Sequence, residues 1–216
     1  MNEPTICPQC GSKFSNFGVL KANVQLPDAT NRLINEYSEP RFPYRCTNCG
    51  DAVLWQCVKL RNEEQAEHTA YLQSRLHVVP LVSSHSPQGW EYQTIGLVTA
   101  QSTLGTSIFT DISSTFADLF GTQAKAYNAK IKACEDLCQS ILRMKALELG
   151  GDAVLAADID YAEVGSGRGL MMVCMTGTAI KLRNPHVVNS ELQTESENLR
   201  TSARRLSYLG GLNPAP

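Results

Sequence analysis

No stretch of this chain approaches the roughly 20 consecutive apolar residues that span a bilayer, so a membrane-spanning helix is not expected. Met1-Asn2-Glu3-Pro4-Thr5 lacks a basic segment and is followed by no long apolar run, so no export signal is read there and a reducing, cytoplasmic setting is the expectation. Charge of one sign is not in excess: 19 Lys and Arg stand against 21 Asp and Glu, a net charge of −2. The first 76 residues balance eight basic with eight acidic side chains. Phosphate neutralisation supplies most non-specific nucleic-acid affinity, so that electrostatic footprint is missing. The four histidines, His68, His77, His85 and His186, are scattered without metal-ligand spacing. No Ser–His–Asp arrangement, nucleophile elbow or dinucleotide fingerprint occurs. Gly165-Ser166-Gly167-Arg168-Gly169 resembles a phosphate loop only superficially, because it joins two expected strands and lacks the following helix that would hold the anion. Enzyme chemistry therefore has no residue set, and the chain is expected not to be an enzyme.

What is present is cysteine in a pattern. Cys7-Pro-Gln-Cys10-Gly and Cys46-Thr-Asn-Cys49-Gly form two knuckles. Two thiolates separated by two residues can aim at one ion from a single tight turn, and each following glycine is expected to supply the φ > 0 position of that turn. Four sulfurs make the complete tetrahedral shell of a structural Zn²⁺, with no open position for a substrate water. Disulfides are the competing reading, but paired Cys-x-x-Cys units in a reducing compartment favour metal. The second knuckle leads into Ala52-Val53-Leu54-Trp55-Gln56-Cys57-Val58, read as a ribbon strand with Cys57 as a small buried apolar residue.

The pattern then organises the rest. Residues 12–45 are a long insertion between the knuckles, with short apolar groups at Phe14, Phe17 and Val19-Leu20 and a short helix over 29–37. Asn62-Glu63-Glu64-Gln65 reads as a capping box opening a helix over 62–76. Residues 77–82 are expected as a short edge strand, since proline cannot donate to a ladder. Pro87-Gln88-Gly89 is a turn, 91–100 a strand and 112–120 a short helical piece. Ala124, Tyr127, Ile131, Cys134, Cys138, Ile141 and Leu142 recur at helical spacing within 122–149, and Gly150-Gly151 ends that helix. Strands follow over 152–163 and 170–183. On the last strand both faces are largely apolar, which predicts that a second chain covers one of them. The remainder, 184–216, is a polar, loosely held tail with a short helix near 191–206. The expected division is a zinc-ribbon module over 1–60, a helical connector over 61–76, an oligomerisation domain over 77–183 and the tail over 184–216.

Three blocks carry a resemblance. The first is Ile95-Gly96-Leu97-Val98-Thr99-Ala100 with Leu104-Gly105-Thr106-Ser107-Ile108-Phe109-Thr110-Asp111. The second runs from Leu149-Gly150-Gly151-Asp152 to Asp158-Ile159-Asp160-Tyr161, and the third from Met171-Met172-Val173 to Gly177-Thr178-Ala179-Ile180. Residues from about 77 to 183 resemble the YbjQ-like family, which is named for heavy-metal binding. The resemblance implies an α+β chain in which a small dodecin-like α/β subunit, strands plus one long helix, assembles as a ring of five. The shared blocks hold carboxylates and glycines but no Cys/His cluster. Ala156 stands where a glycine is common, and Ala162 where an acidic residue often follows, which removes one oxygen ligand from any carboxylate site.

Asp158 and Asp160 share a strand face and could pair around a hard cation or act as an acid/base pair; a solvated polar face is the plainer reading. Cys134 and Cys138, at i and i+4, have the spacing of two metal ligands but sit in an apolar stripe, where cysteine is a common small filler. The expected function is a non-enzymatic metal-binding scaffold, with Cys7, Cys10, Cys46 and Cys49 on zinc and self-association as its partnership. An unidentified protein partner of the ribbon is also allowed for. Two alternatives stand beside it: a metal-responsive or heavy-metal-binding protein using the family domain, and a nucleic-acid-binding zinc ribbon.

Overall fold

The computed structural model describes residues 5–15, 23–103, 123–164 and 170–212. Its elements are α1 (Asp28–Tyr37), α2 (Thr47–Arg75), a 3-10 turn (Leu76–Val78), β1 (Tyr92–Thr103), α3 (Gln123–Glu148), β2 (Ala153–Val164), β3 (Leu170–Leu182), α4 (Pro185–Val188) and α5 (Ser190–Gly210). They fall into two compact units. One takes the described residues up to Tyr71 together with those from Arg204 onward; the other is Leu72–Ala203. The 112–120 helical piece, the 104–111 block, the turn over 165–169 and the apolar groups Phe17 and Val19-Leu20 lie outside the described residues.

The first unit corrects the expected ribbon strand. Residues 52–58 are α-helical, within a helix that begins at Thr47 rather than at Asn62. A short apolar run satisfies either period, and burial shows which one the fold uses. Cys57 and Arg61 are buried and Val53, Leu54 and Val58 half-buried, a stripe of helical spacing, whereas Trp55 is 75% exposed. That stripe packs with Leu26, with Leu33 and Ile34 of α1, and with Leu209 and Leu212. Asn62 is therefore an exposed mid-helix residue, not a cap.

The C-terminal segment also differs from a loose tail. It forms a 21-residue helix in which Leu192, Leu199, Ala203 and Leu209 are fully buried, at spacings that keep them on one face. Within the first unit Arg205 bonds Glu36 Oε1 at 2.7 Å and Glu64 at 2.7 and 3.0 Å. Tyr208 donates to Glu36 Oε2 at 3.0 Å, and Tyr37 donates to Glu64 Oε2 at 2.5 Å. The Arg205 hydrogen bonds hold the Glu64 carboxyl below its ordinary value.

The second unit is a three-stranded antiparallel sheet in the order β1-β3-β2, with α3 on one face. Val98, Ala100, Val154, Val173, Met175 and Ala179 meet Cys134, Cys138, Leu142 and Ala146 there. The helix ends as its glycines require. Gly150 N–H bonds the Leu147 carbonyl at 2.9 Å and Gly151 N–H the Ala146 carbonyl at 2.7 Å, with Gly150 at φ +92°. Asp152 follows, 1% exposed, and its carboxylate accepts from Arg200 of α5, from Lys181 Nζ at 3.1 Å and from the Leu182 N–H at 3.1 Å. The strand expected over 77–82 is reduced to one bridge: Leu76–Val78 form the 3-10 turn, and Leu81 bridges Val154; Val154 N–H donates to the Pro80 carbonyl at 2.9 Å, so proline serves as an acceptor.

The second sheet face is more mixed than β3 alone suggested. Leu155, Ile180 and Leu182 bury one end of it, but Thr176 is exposed and is paired across by Thr99 and Asp158. Leu97 on this face is 72% exposed. Neighbouring strands interleave polar residues that a single-strand count cannot see.

β2 breaks register between Leu155 and Asp158, and Ala156 there has φ +50°. An L-residue with a Cβ is strained in that region, whereas glycine is not. Ala156→Gly is expected to stabilise the fold by about 1 kcal/mol, read as a higher denaturant midpoint, and Ala156→Val to destabilise it. A lower midpoint for the glycine variant would contradict the strain.

Candidate metal centre

The two knuckles are built differently. The first is a hairpin: Ile6 bridges Lys13, Cys7 N–H bonds the Ser12 carbonyl at 2.8 Å, and Gly11 N–H bonds the Cys7 carbonyl at 2.9 Å with φ +72°. The second is the start of α2. Cys46 immediately precedes the helix, Cys49 lies in its first turn, and Gly50 N–H makes a bond to the Cys46 carbonyl at 3.0 Å. Gly50 therefore does not supply the φ > 0 expected of it. It is needed for space, because a Cβ there would lie 2.1 Å from Leu26 Cδ1 and 3.1 Å from Leu26 Cγ. The bridge between Gln25 and Cys46, with Leu26 N–H on the Arg45 carbonyl at 2.9 Å and Thr47 N–H on the Val24 carbonyl at 2.9 Å, fixes the second pair in place.

All four sulfurs, of Cys7, Cys10, Cys46 and Cys49, lie within 4.8 Å of one another. Cys10 Sγ and Cys46 Sγ are 3.7 Å apart. A tetrahedral ion with metal–sulfur bonds of about 2.3 Å requires sulfurs about 3.8 Å apart; the Cys10–Cys46 pair has that spacing, and the cluster as a whole is close enough to hold one ion. None of the four is in a disulfide.

The surroundings favour thiolates on the first knuckle. Burial pushes the Cys7 thiol up, but N–H groups of Cys10, Cys46 and Gln9 outweigh it and leave it lowered; the Cys46 N–H lies 3.4 Å from Cys7 Sγ. The Ser12 hydroxyl and N–H lower Cys10 to about 6. Burial and the neighbouring sulfurs raise Cys46 and Cys49. Four sulfurs this close cannot all ionise against one another, and a cation among them reverses that repulsion.

The remaining candidates lie elsewhere. Asp158 and Asp160 are exposed on the sheet face away from α3, and Asp160 Oδ1 accepts from the Tyr161 N–H at 3.0 Å. Tyr161 reaches the other face and donates to Glu135 Oε1 at 2.8 Å. Cys134 and Cys138 are fully buried on the sheet-facing side of α3, with Cys138 Sγ 3.6 Å from the Val173 carbonyl oxygen. Among the described residues, the four-cysteine cluster is the one group of three or more His, Cys, Asp or Glu side chains arranged to hold a metal. Sequence reading did not single out Arg45, which is buried beside the second knuckle. The Asn31 and Asn35 acceptors that hold it gave no local pattern.

Residues 79–183 match the model of the YbjQ family, described as "Putative heavy-metal-binding". The four clustered cysteines lie outside that match and are consistent with a zinc-ribbon-like module. The chain is also similar to the crystal structure of a protein of unknown function from Pediococcus pentosaceus, described as a member of the DUF74 family. The identity is 19%, over 47% of this chain and 95% of that one, with a TM-score of 0.35.

Because Leu26 is itself 5% exposed and cannot swing away, Gly50→Ala is expected to cost about 1–3 kcal/mol through overpacking, although alanine is the better helix former. Chelator competition should show weaker metal retention in the same variant. A variant as stable as the parent, with unchanged affinity, would show that Leu26 does not lock the second knuckle.

Proposed function

We propose, taking residues 79–183 as a YbjQ-like domain, that this protein is a non-enzymatic metal-binding scaffold. In this reading a structural zinc shapes the N-terminal unit and the YbjQ-like domain joins copies of the chain into a ring. The observation that carries it is the convergence of four cysteine sulfurs within 4.8 Å. A tetrahedral all-sulfur shell suits zinc or iron–sulfur chemistry, and a shell closed by protein ligands supports folding rather than turnover. Self-association is supported by the sheet face bearing Leu97, which is 72% exposed, and by the outer edge of β2, whose cross-strand partner beyond Ala157 is, among the described residues, β3 alone. Strand edges and exposed apolar residues of this kind are commonly covered by another chain. The number five comes from the family resemblance.

A second reading is favoured by the family's description. It makes the YbjQ-like domain itself the metal binder, with the four cysteines as an accessory. The full chain carrying Cys46→Ser separates the two. On the scaffold reading the parent protein holds one zinc per chain by elemental analysis and the variant holds none. Stoichiometric metal retained in the variant would favour the second reading.

Zinc removal gives a further outcome. A small module has too little core to fold alone, so its metal-binding free energy is largely its folding free energy. Chelation is expected to raise protease cleavage in the first unit, up to Tyr71 and from Arg204 onward, while the light-scattering mass remains that of the assembly. Collapse to single chains on chelation would show that zinc holds the ring. A mass of one chain for the untreated, folded protein would overturn self-association.

A further inference from the structure

We infer that Arg45 is the built-in counter-charge of the four-sulfur centre, a cation buried beside it that favours four thiolates around a divalent metal. The inference rests on the metal-centre reading above. Arg45 is among the largest fully buried side chains, at 2% exposed. A guanidinium does not deprotonate in a protein, so a permanent positive charge has been taken out of water, which is costly without a compensating charge.

Its hydrogen bonds are nearly complete, but each goes to a neutral acceptor. Nε donates to Gln9 Oε1 at 3.0 Å, Nη1 to Asn31 Oδ1 at 2.8 Å and Asn35 Oδ1 at 2.5 Å, and Nη2 to the Pro40 carbonyl at 2.9 Å. The Phe42 ring lies 5.0 Å away. Both asparagines are aimed. Asn31 Nδ2 donates to the Phe42 and Pro43 carbonyls at 3.0 Å each, and Asn35 Nδ2 to the Phe42 carbonyl at 2.8 Å, which turns both amide oxygens toward the guanidinium. Among the described residues no carboxylate bonds or ion-pairs with it. The pocket is therefore built to hold a cation without neutralising it.

The position explains why. Arg45 directly precedes Cys46, and Gln9, which receives its Nε–H, lies between Cys7 and Cys10. Burial, the largest influence, lowers the Arg45 guanidinium from its ordinary value, and the charges of Cys57, Cys49 and Cys7 act in the opposite direction. A divalent ion inside four thiolates leaves a net double negative charge on the centre. A buried cation at its side offsets part of that charge, and the centre in turn supplies the counter-ion that Arg45 otherwise lacks. A plain brace between the knuckles would need the same hydrogen bonds but not the charge.

The test uses the full chain loaded with Co²⁺, for affinity by chelator competition and the sulfur-to-cobalt absorption, and with iron, for its Fe(III)/Fe(II) midpoint potential. The potential reads charge directly, because the reduced centre carries one more negative charge than the oxidised one. Arg45→Met and Arg45→Gln are expected to lose about tenfold or more in Co²⁺ affinity and to shift the potential to more negative values. Arg45→Lys keeps the charge and loses the planar fork, and both readouts should remain close to wild type. Gln9→Glu covers the case in which the neutral variants do not fold. It sets a carboxylate against Nε, strengthening Arg45 as a brace while neutralising it as a charge, so affinity and potential should fall. An unchanged potential in the neutral variants, a lysine variant as impaired as the methionine one, or Gln9→Glu with undiminished affinity would each overturn the inference. A wild-type chain that binds no metal would overturn both the inference and the metal-centre reading.

Discussion

The first unit depends on one constraint: sulfurs at positions 7 and 10 must meet sulfurs at 46 and 49. Bringing them within 4.8 Å closes a loop that contains α1, and it fixes where α2 begins, because Cys46 and Cys49 occupy the start of that helix. Once α2 starts there, Val53, Leu54, Cys57 and Val58 fall on one stripe and form a core with α1 and the last residues of α5. Gly50 and Leu26 transmit the placement, since Leu26 fills the space a side chain at position 50 would take. A small unit of this kind has little apolar area to spend against chain entropy, so the ligands and the core act together.

The second unit is arranged around a junction rather than a ligand. Gly150 and Gly151 end α3 and turn the chain into β2, and Asp152 gathers Arg200, Lys181 and the Leu182 N–H at the same corner. Gly177 allows the opposing strand to pass the β2 bulge, as a Cβ on it would lie 2.4 Å from Val154 Cγ1. The buried carboxylate is acceptable there because its partners are charged and well placed. The outcome is one packed face under α3 and a second face that carries Leu97 beside threonines and aspartates.

Much of this was legible in the residues. The two knuckles announced the four-sulfur cluster, since paired Cys-x-x-Cys units have the spacing of metal ligands. The period of Ala124 to Leu142 announced α3, and Gly150-Gly151 announced its end. Ala156, noted as a departure from the pattern of the family the chain resembles, has a positive φ. What misled was local ambiguity. Residues 52–58 are apolar enough for either period, the Asn62 box imitates a helix start, and the polar look of 184–216 hid a helix with a buried face.

The sequence by itself determined the two cysteine pairs, the long helix with its stop, and the alternation of the strands, because each rests on the spacing of residues a few positions apart. Tertiary structure alone decided that the second knuckle is a helix start rather than a ribbon turn, and that Gly50 is there for space. It also decided that Arg45, an unremarkable basic residue in sequence, is a buried cation ringed by neutral acceptors. These depend on contacts between distant segments, and a side chain's burial and charge environment exist only once those segments have met.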